Sequence, residues 1–155
     1  MDYTNAIRKI NASQNRNCFV KPIRAEIDYL KGLNLPKEVL DFYNDFAPAD
    51  IIEINAIRLL PISEVVEENT NYIPGYLLTP LGFCVIATTI EGDVYCINNT
   101  SSLYNIVIAS HDEIYEGQEV DEILKGTRQI ADTLNDFLNL FAEQKLNSSF
   151  YSPEH

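Results

Sequence analysis

A chain of 155 residues with 46% apolar content can bury one complete hydrophobic core, and its aromatic and branched aliphatic residues exclude disorder. Acids outnumber bases 23 to 11, a formal charge of −12 that argues against a nucleic-acid backbone as ligand, because binding phosphates takes clustered Lys and Arg. With two histidines and no tryptophan, so broad a carboxylate surplus marks a solvated or partner-facing surface, so a binding protein is expected before an enzyme.

In chain order, residues 1–21 are polar and Asn-rich with only a weak Ile7/Ile10 pattern, a frayed or short helix at most. Ile23, Ile27 and Leu30 form an i, i+4, i+7 stripe that predicts an amphipathic helix closed by Gly32 and Asn34. Leu35-Pro36 starts a second helix, with Val39, Phe42, Tyr43 and Phe46 on one face, and Ala47-Pro48-Ala49 ends it. The β-branched runs Ile51–Ile54 and Ile57–Leu60 read as strands separated by Asn55-Ala56. Ser63 is placed to cap a short acidic helix through Glu67, and Pro74-Gly75 reads as a turn.

The strongest local signal is a hairpin over residues 82–98 with Glu91-Gly92 as its loop. That register sets Cys84 opposite Asn99 and Cys96 opposite Ala87, with the two thiols on opposite faces of the sheet. Asn105–Ala109 is a further strand. Six acids lie between Asp112 and Glu122, where Val120, Ile123 and Leu124 predict a short helical turn weakened by Gly126. Thr133-Leu134-Asn135-Asp136 resembles a capping box that opens a last helix, with Leu134, Phe137, Leu138 and Phe141 as its buried stripe. These elements predict one α+β domain: a central antiparallel sheet, a mixed one being the variant left open, with helices packed mainly on one face.

Candidate sites are few. The acidic run Asp112, Glu113, Glu116, Glu119 and Asp121 is the first candidate partner surface, set against a plain solvated connector. Glu91 and Asp93 bracket a hairpin tip expected to be exposed, although an Asp there also serves to satisfy turn amides. Tyr72, Tyr76 and Tyr104 lie near loops as candidate interface anchors, whereas Tyr43 and Tyr95 belong to the core. His111 beside two acids reads as a hydrogen-bonded structural residue rather than a metal ligand or acid–base group. Cys18, Cys84 and Cys96 are odd in number with no ligand spacing, so neither a disulfide framework nor a zinc site is expected. No Gly-rich phosphate loop, His-x-x-x-His pair or Gly-x-Ser-x-Gly elbow appears, so no catalytic residue and no cofactor is expected. The N-terminus lacks a secretion h-region and no apolar run approaches the roughly 18 residues of a membrane span, which predicts a soluble cytoplasmic protein.

The order of these pieces resembles the SUKH superfamily over about residues 22–146, with 1–21 as an N-terminal helix or arm and 147–155 as a tail. The pieces are the Leu35-Pro36 helix ending in aromatics, the strand and acidic helix of Ile57–Glu68, and the hairpin with Gly92-Asp93 at its turn. They continue with the strand ending in His111-Asp112-Glu113 and with Ile130–Leu138, which is similar to the family's Ala-x-Ser-Phe-x-x-Phe-Leu helix. The chain departs from the family pattern at Ala47-Pro48-Ala49, where an Asn-Gly-Gly turn is common, and at Thr89-Ile90-Glu91, where a glycine pair precedes the turn. The resemblance implies an immunity protein that binds and neutralises a cognate bacterial toxin, often a nuclease with a basic groove. The alternative it implies is an intracellular regulatory interaction module like the family's fungal cell-wall regulators. Neither the toxin nor a monomeric or dimeric state follows from it.

Overall fold

The computed structural model describes residues 2–151. Helix α1 (Thr4–Gln14) is an ordered element of 11 residues, more than the short or frayed helix expected. Tyr3, Ala6 and Ile10 share its buried face, and the small Ala6 had hidden that stripe. Strand β1 (Phe19–Val20) leads to α2 (Arg24–Lys31), which buries Ile27 and Leu30 but leaves Ile23 exposed at its N-cap. Helix α3 (Lys37–Asp45) buries Val39, Phe42 and Tyr43. Ala47-Pro48, expected only to end that helix, also forms β2 (Ala47–Pro48), which pairs with β1 as a small two-stranded sheet.

The main sheet has six antiparallel strands in sequence order, which removes the mixed variant. Strands β3 (Ile52–Ile54) and β4 (Ile57–Leu59) meet through Asn55 and Ala56, both at positive φ, the conformation a two-residue hairpin loop demands. Helix α4 (Ile62–Thr70) follows with Pro61 as its N-cap, so Ser63 lies inside the helix and does not cap it. Helix α5 (Gly75–Leu78) and a 3-10 turn (Thr79–Leu81) lead into β5 (Phe83–Thr89), β6 (Val94–Asn98) and β7 (Asn105–Ala109). Helix α6 (Val120–Lys125) is the predicted helical turn. Strand β8 (Thr127–Ala131) is an edge strand the polar Arg128-Gln129 pair concealed. Helix α7 (Leu134–Ala142) closes the fold, with Thr133 Oγ1 accepting from the Asp136 N–H at 3.1 Å.

The β5–β6 hairpin departs from the expected register. Its loop has three residues, Ile90-Glu91-Gly92, because Gly92 takes a left-handed conformation (φ 103°) that lets Thr89 face Asp93. A bulge at Ile86 shifts the register again, so Cys84 lies opposite Ile97 and Cys96 opposite Val85. Cys84 and Val85 are adjacent in a strand, so the two thiols still face opposite sides. All three cysteines are free and buried.

Tyr95 packs on Phe137 of α7, ring centroids 5.3 Å apart, and α1 packs in turn on α7. Strand alternation then puts Arg58, Thr88, Val94 and Cys96 on the face away from Phe137. The Tyr104 hydroxyl accepts from the Leu134 N–H at 2.9 Å and donates to Glu38 at 3.0 Å. That side chain is half-buried and joins α3 to α7, so it is an internal tie rather than the interface anchor expected.

Candidate functional site

The hairpin tip and the end of β7 come together at one end of the sheet. A Cβ added at Gly92 would stand 3.3 Å from the His111 ring, so the tip lies directly against that side chain. Asp93, expected at an exposed tip, is only 1% exposed. One of its oxygens accepts from the backbone N–H and ring Nδ1 of His111, at 3.0 and 2.6 Å. The other accepts from the Phe150 N–H at 2.7 Å. Burial pushes the Asp93 pKa up, but the hydrogen bonds from Phe150 and His111 outweigh it and hold the carboxyl below its usual value. Asp93 is therefore a buried pin, and of the two tip acids only Glu91 faces solvent. His111 is hydrogen-bonded as expected, with Nε2 also 3.3 Å from Asp112 Oδ1.

The acidic run leaves this end of the sheet on a backbone with fixed anchors. Ser110 Oγ accepts from the N–H groups of Asp112 and Glu113, both at 3.2 Å. Gln118 accepts from the Tyr115 N–H at 2.9 Å and donates to the Glu113 carbonyl at 2.8 Å, closing the loop on itself. Ile114 is fully buried, and Gly126 leaves room for it, since a Cβ there would come within 2.7 Å of Ile114 Cγ1. The carboxylates divide into two groups. Asp112 pairs with His111, and Glu113 accepts from the Tyr151 hydroxyl at 2.6 Å. Glu116, Glu119 and Asp121 are exposed, and none forms a salt bridge among the described residues. Glu119 is the N-cap of α6, yet its side chain makes no cap hydrogen bond and stays in solvent.

Tyr72, on the segment joining α4 to α5, and Tyr76, on α5, are 55% and 51% exposed, and Gly75 at the start of α5 lets the chain close on Glu68 of α4. Gly92 and Tyr72 line one cavity, so the hairpin tip borders both the acidic connector and the tyrosine loop. The structure thus gathers Glu91, Asp93, Asp112, Glu113 and Tyr72 at one end. Glu116, Glu119 and Asp121 continue along the connector, and Tyr76 follows Tyr72 on α5. Arg58 and Glu68 line the same cavity as Tyr72 but were not singled out as site residues, since they meet Thr88 only through strand pairing and helix placement.

Among the described residues no group of three or more His, Cys, Asp or Glu side chains is placed to hold a metal ion. No helix among them is long and apolar enough to cross a membrane. Comparisons with curated proteins and with solved structures return no match. A comparison with family profiles does: the profile of the SMI1 / KNR4 family (SUKH-1) matches residues 24–140, from the first residue of α2 into α7. The chain belongs to the SMI1 / KNR4 family (SUKH-1).

Proposed function

We propose that this chain is an immunity protein that neutralises a cognate toxin domain, basic and of the nuclease type, by direct stoichiometric binding. The observation that supports this best is the connector from Asp112 to Glu122. Its backbone is anchored by Ser110, Ile114 and Gln118, while Glu116, Glu119 and Asp121 stay exposed and unpaired among the described residues. Carboxylates presented on an ordered loop lose little conformational freedom on binding, which suits them to fill a groove built for phosphates. The net charge of −12 draws a basic partner in and raises the association rate at low salt. Membership of a family of interaction proteins is consistent with binding as the mode of action.

The test is coexpression with a candidate toxin, the basic C-terminal domain of any large secreted protein that a neighbouring gene encodes. The expected result is restored growth together with a one-to-one complex on size-exclusion chromatography. Undiminished toxicity with both proteins folded and soluble would overturn the reading.

A further inference from the structure

On the face of the sheet away from Phe137, a cavity of about 240 Å³ opens between strands β4 and β5, helix α4 and the loop that follows it. Arg58 and Thr88 are cross-strand partners on its floor. Glu64 and Glu68 stand one helical turn apart on the same side of α4 and form one wall. The loop residues Tyr72 and Ile73 form its outer rim, and both are substantially exposed. We propose that this cavity receives a lysine or arginine side chain from a protein partner. The proposal rests on the reading of the chain as a binder of a basic protein, and it names where one basic side chain of that partner goes.

The charge balance points to a cation. Two carboxylates face one guanidinium, that of Arg58, whose Nη2 donates to the Thr89 carbonyl at 3.2 Å while its Nε is buried without a hydrogen-bond partner. Neither Glu64 nor Glu68 forms a salt bridge among the described residues. Burial pushes the Glu68 pKa up, and the like charge of Glu64 adds to it, with Arg58 opposing only in part. Glu64 and Glu68 are half-buried, and a half-buried carboxylate held short of a partner gains from an incoming cation, loses from an anion, and is left further desolvated by an apolar group.

The other walls suit the rest of such a side chain. Ile51, Leu60 and Ile73 offer apolar surface to its methylene stem. Tyr72 offers a ring at the mouth, where a guanidinium or ammonium gains from the aromatic face. Gly92 also lines the cavity, so it opens beside the hairpin tip, which itself lies against His111 at the start of the acidic connector.

The test uses the full chain labelled with nitrogen-15 and the probe Nα-acetyl-arginine amide, compared with Nα-acetyl-citrulline amide, its uncharged isostere. Saturable shifts at the amides of Glu68, Tyr72 and Thr88 are expected with the arginine compound alone. Glu64→Gln with Glu68→Gln should weaken that binding roughly tenfold. Glu68→Gln alone should weaken it in the same direction and serves if the double variant does not fold. Equal shifts with citrulline, or no saturable shift at those amides, would overturn the proposal. A cognate toxin domain separates the two readings. Full toxin affinity in the double variant would sink the cavity proposal and leave the functional one standing. Saturable arginine binding without any toxin binding would do the reverse.

Discussion

Asp93 ties His111 to the far end of the chain. One carboxylate oxygen holds the backbone and ring of His111, and the other holds the Phe150 N–H, 57 residues away in sequence. With its carboxyl held below the usual value, near 3.8, the folded state binds this proton less well than the unfolded chain. The stabilisation is therefore fully present above about pH 4 and is lost as the pH falls through the lowered folded value. Asp93→Asn should cost about 2–3 kcal/mol at neutral pH, since donors buried around the carboxylate lose a charged acceptor. Denaturant titrations of both proteins at neutral pH and at about pH 3 check this, because the difference between them should shrink in acid. A difference that does not change with pH would show that the Asp93 charge contributes nothing.

Asn69 performs the work of a missing strand. Strand β4 pairs with β5 only from Ala87 to Thr89, and the buried Asn69 side chain takes over at Val85. Its Oδ1 accepts from the Val85 N–H at 2.8 Å and its Nδ2 donates to the Val85 carbonyl at 2.9 Å. Asn69→Ala would leave both backbone groups buried and unpaired, so a loss of about 2–4 kcal/mol is expected in a denaturant titration. Asn69→Asp should also destabilise, because a carboxylate cannot donate to the Val85 carbonyl. A loss below about 1 kcal/mol for the alanine variant would mean that water replaces the side chain at this edge.

What could be read from the residues alone follows how local each signal is. The α7 stripe of Leu134, Phe137, Leu138 and Phe141 was legible because its period is helical and all four are buried. The acidic connector was legible as composition. The hairpin was legible in position but not in register, because a bulge at Ile86 and a three-residue loop ending at Gly92 leave the alternation of apolar residues unchanged in a strand buried throughout. Asp93 looked exposed because nothing in the turn shows that Phe150 folds onto it. Strand β8 was hidden because an edge strand carrying Arg128 and Gln129 lacks apolar alternation. The cavity beside Tyr72 was illegible for the same reason: Arg58, Glu68 and Thr88 become neighbours only through tertiary pairing.

The three thiols should be free but unreactive in the native protein. Burial pushes Cys84 up to about 12, Cys96 well above its usual value and Cys18 upward as well, so little thiolate is available at neutral pH. Thiol reagents should modify the native protein slowly and count three free thiols after denaturation without reductant. A count of one would require a disulfide among three thiols that are all free here, and one between Cys84 and Cys96 would contradict the observed register.

The last prediction concerns how the partner arrives. Exposed carboxylates act at long range and are screened by salt, whereas close contacts govern how long a complex lasts. Charge reversal at Glu116, Glu119 and Asp121 removes three negative charges and adds three positive ones on positions that are exposed and make no salt bridge among the described residues. The fold should be retained, because the connector is held by Ser110, Ile114 and Gln118, none of which is changed. Association with a basic toxin domain should slow by about tenfold or more at low salt, with the difference narrowing as salt screens the field. Dissociation should change less if the three side chains lie at the rim of the interface, and should quicken in step with lost protection if they lie at its centre. Stopped-flow association across a salt series, beside a growth-protection assay, measures both. On-rates that ignore salt in wild type and variant alike would rule out electrostatic steering by the connector and shift attention to Glu91, Tyr72 and Tyr76.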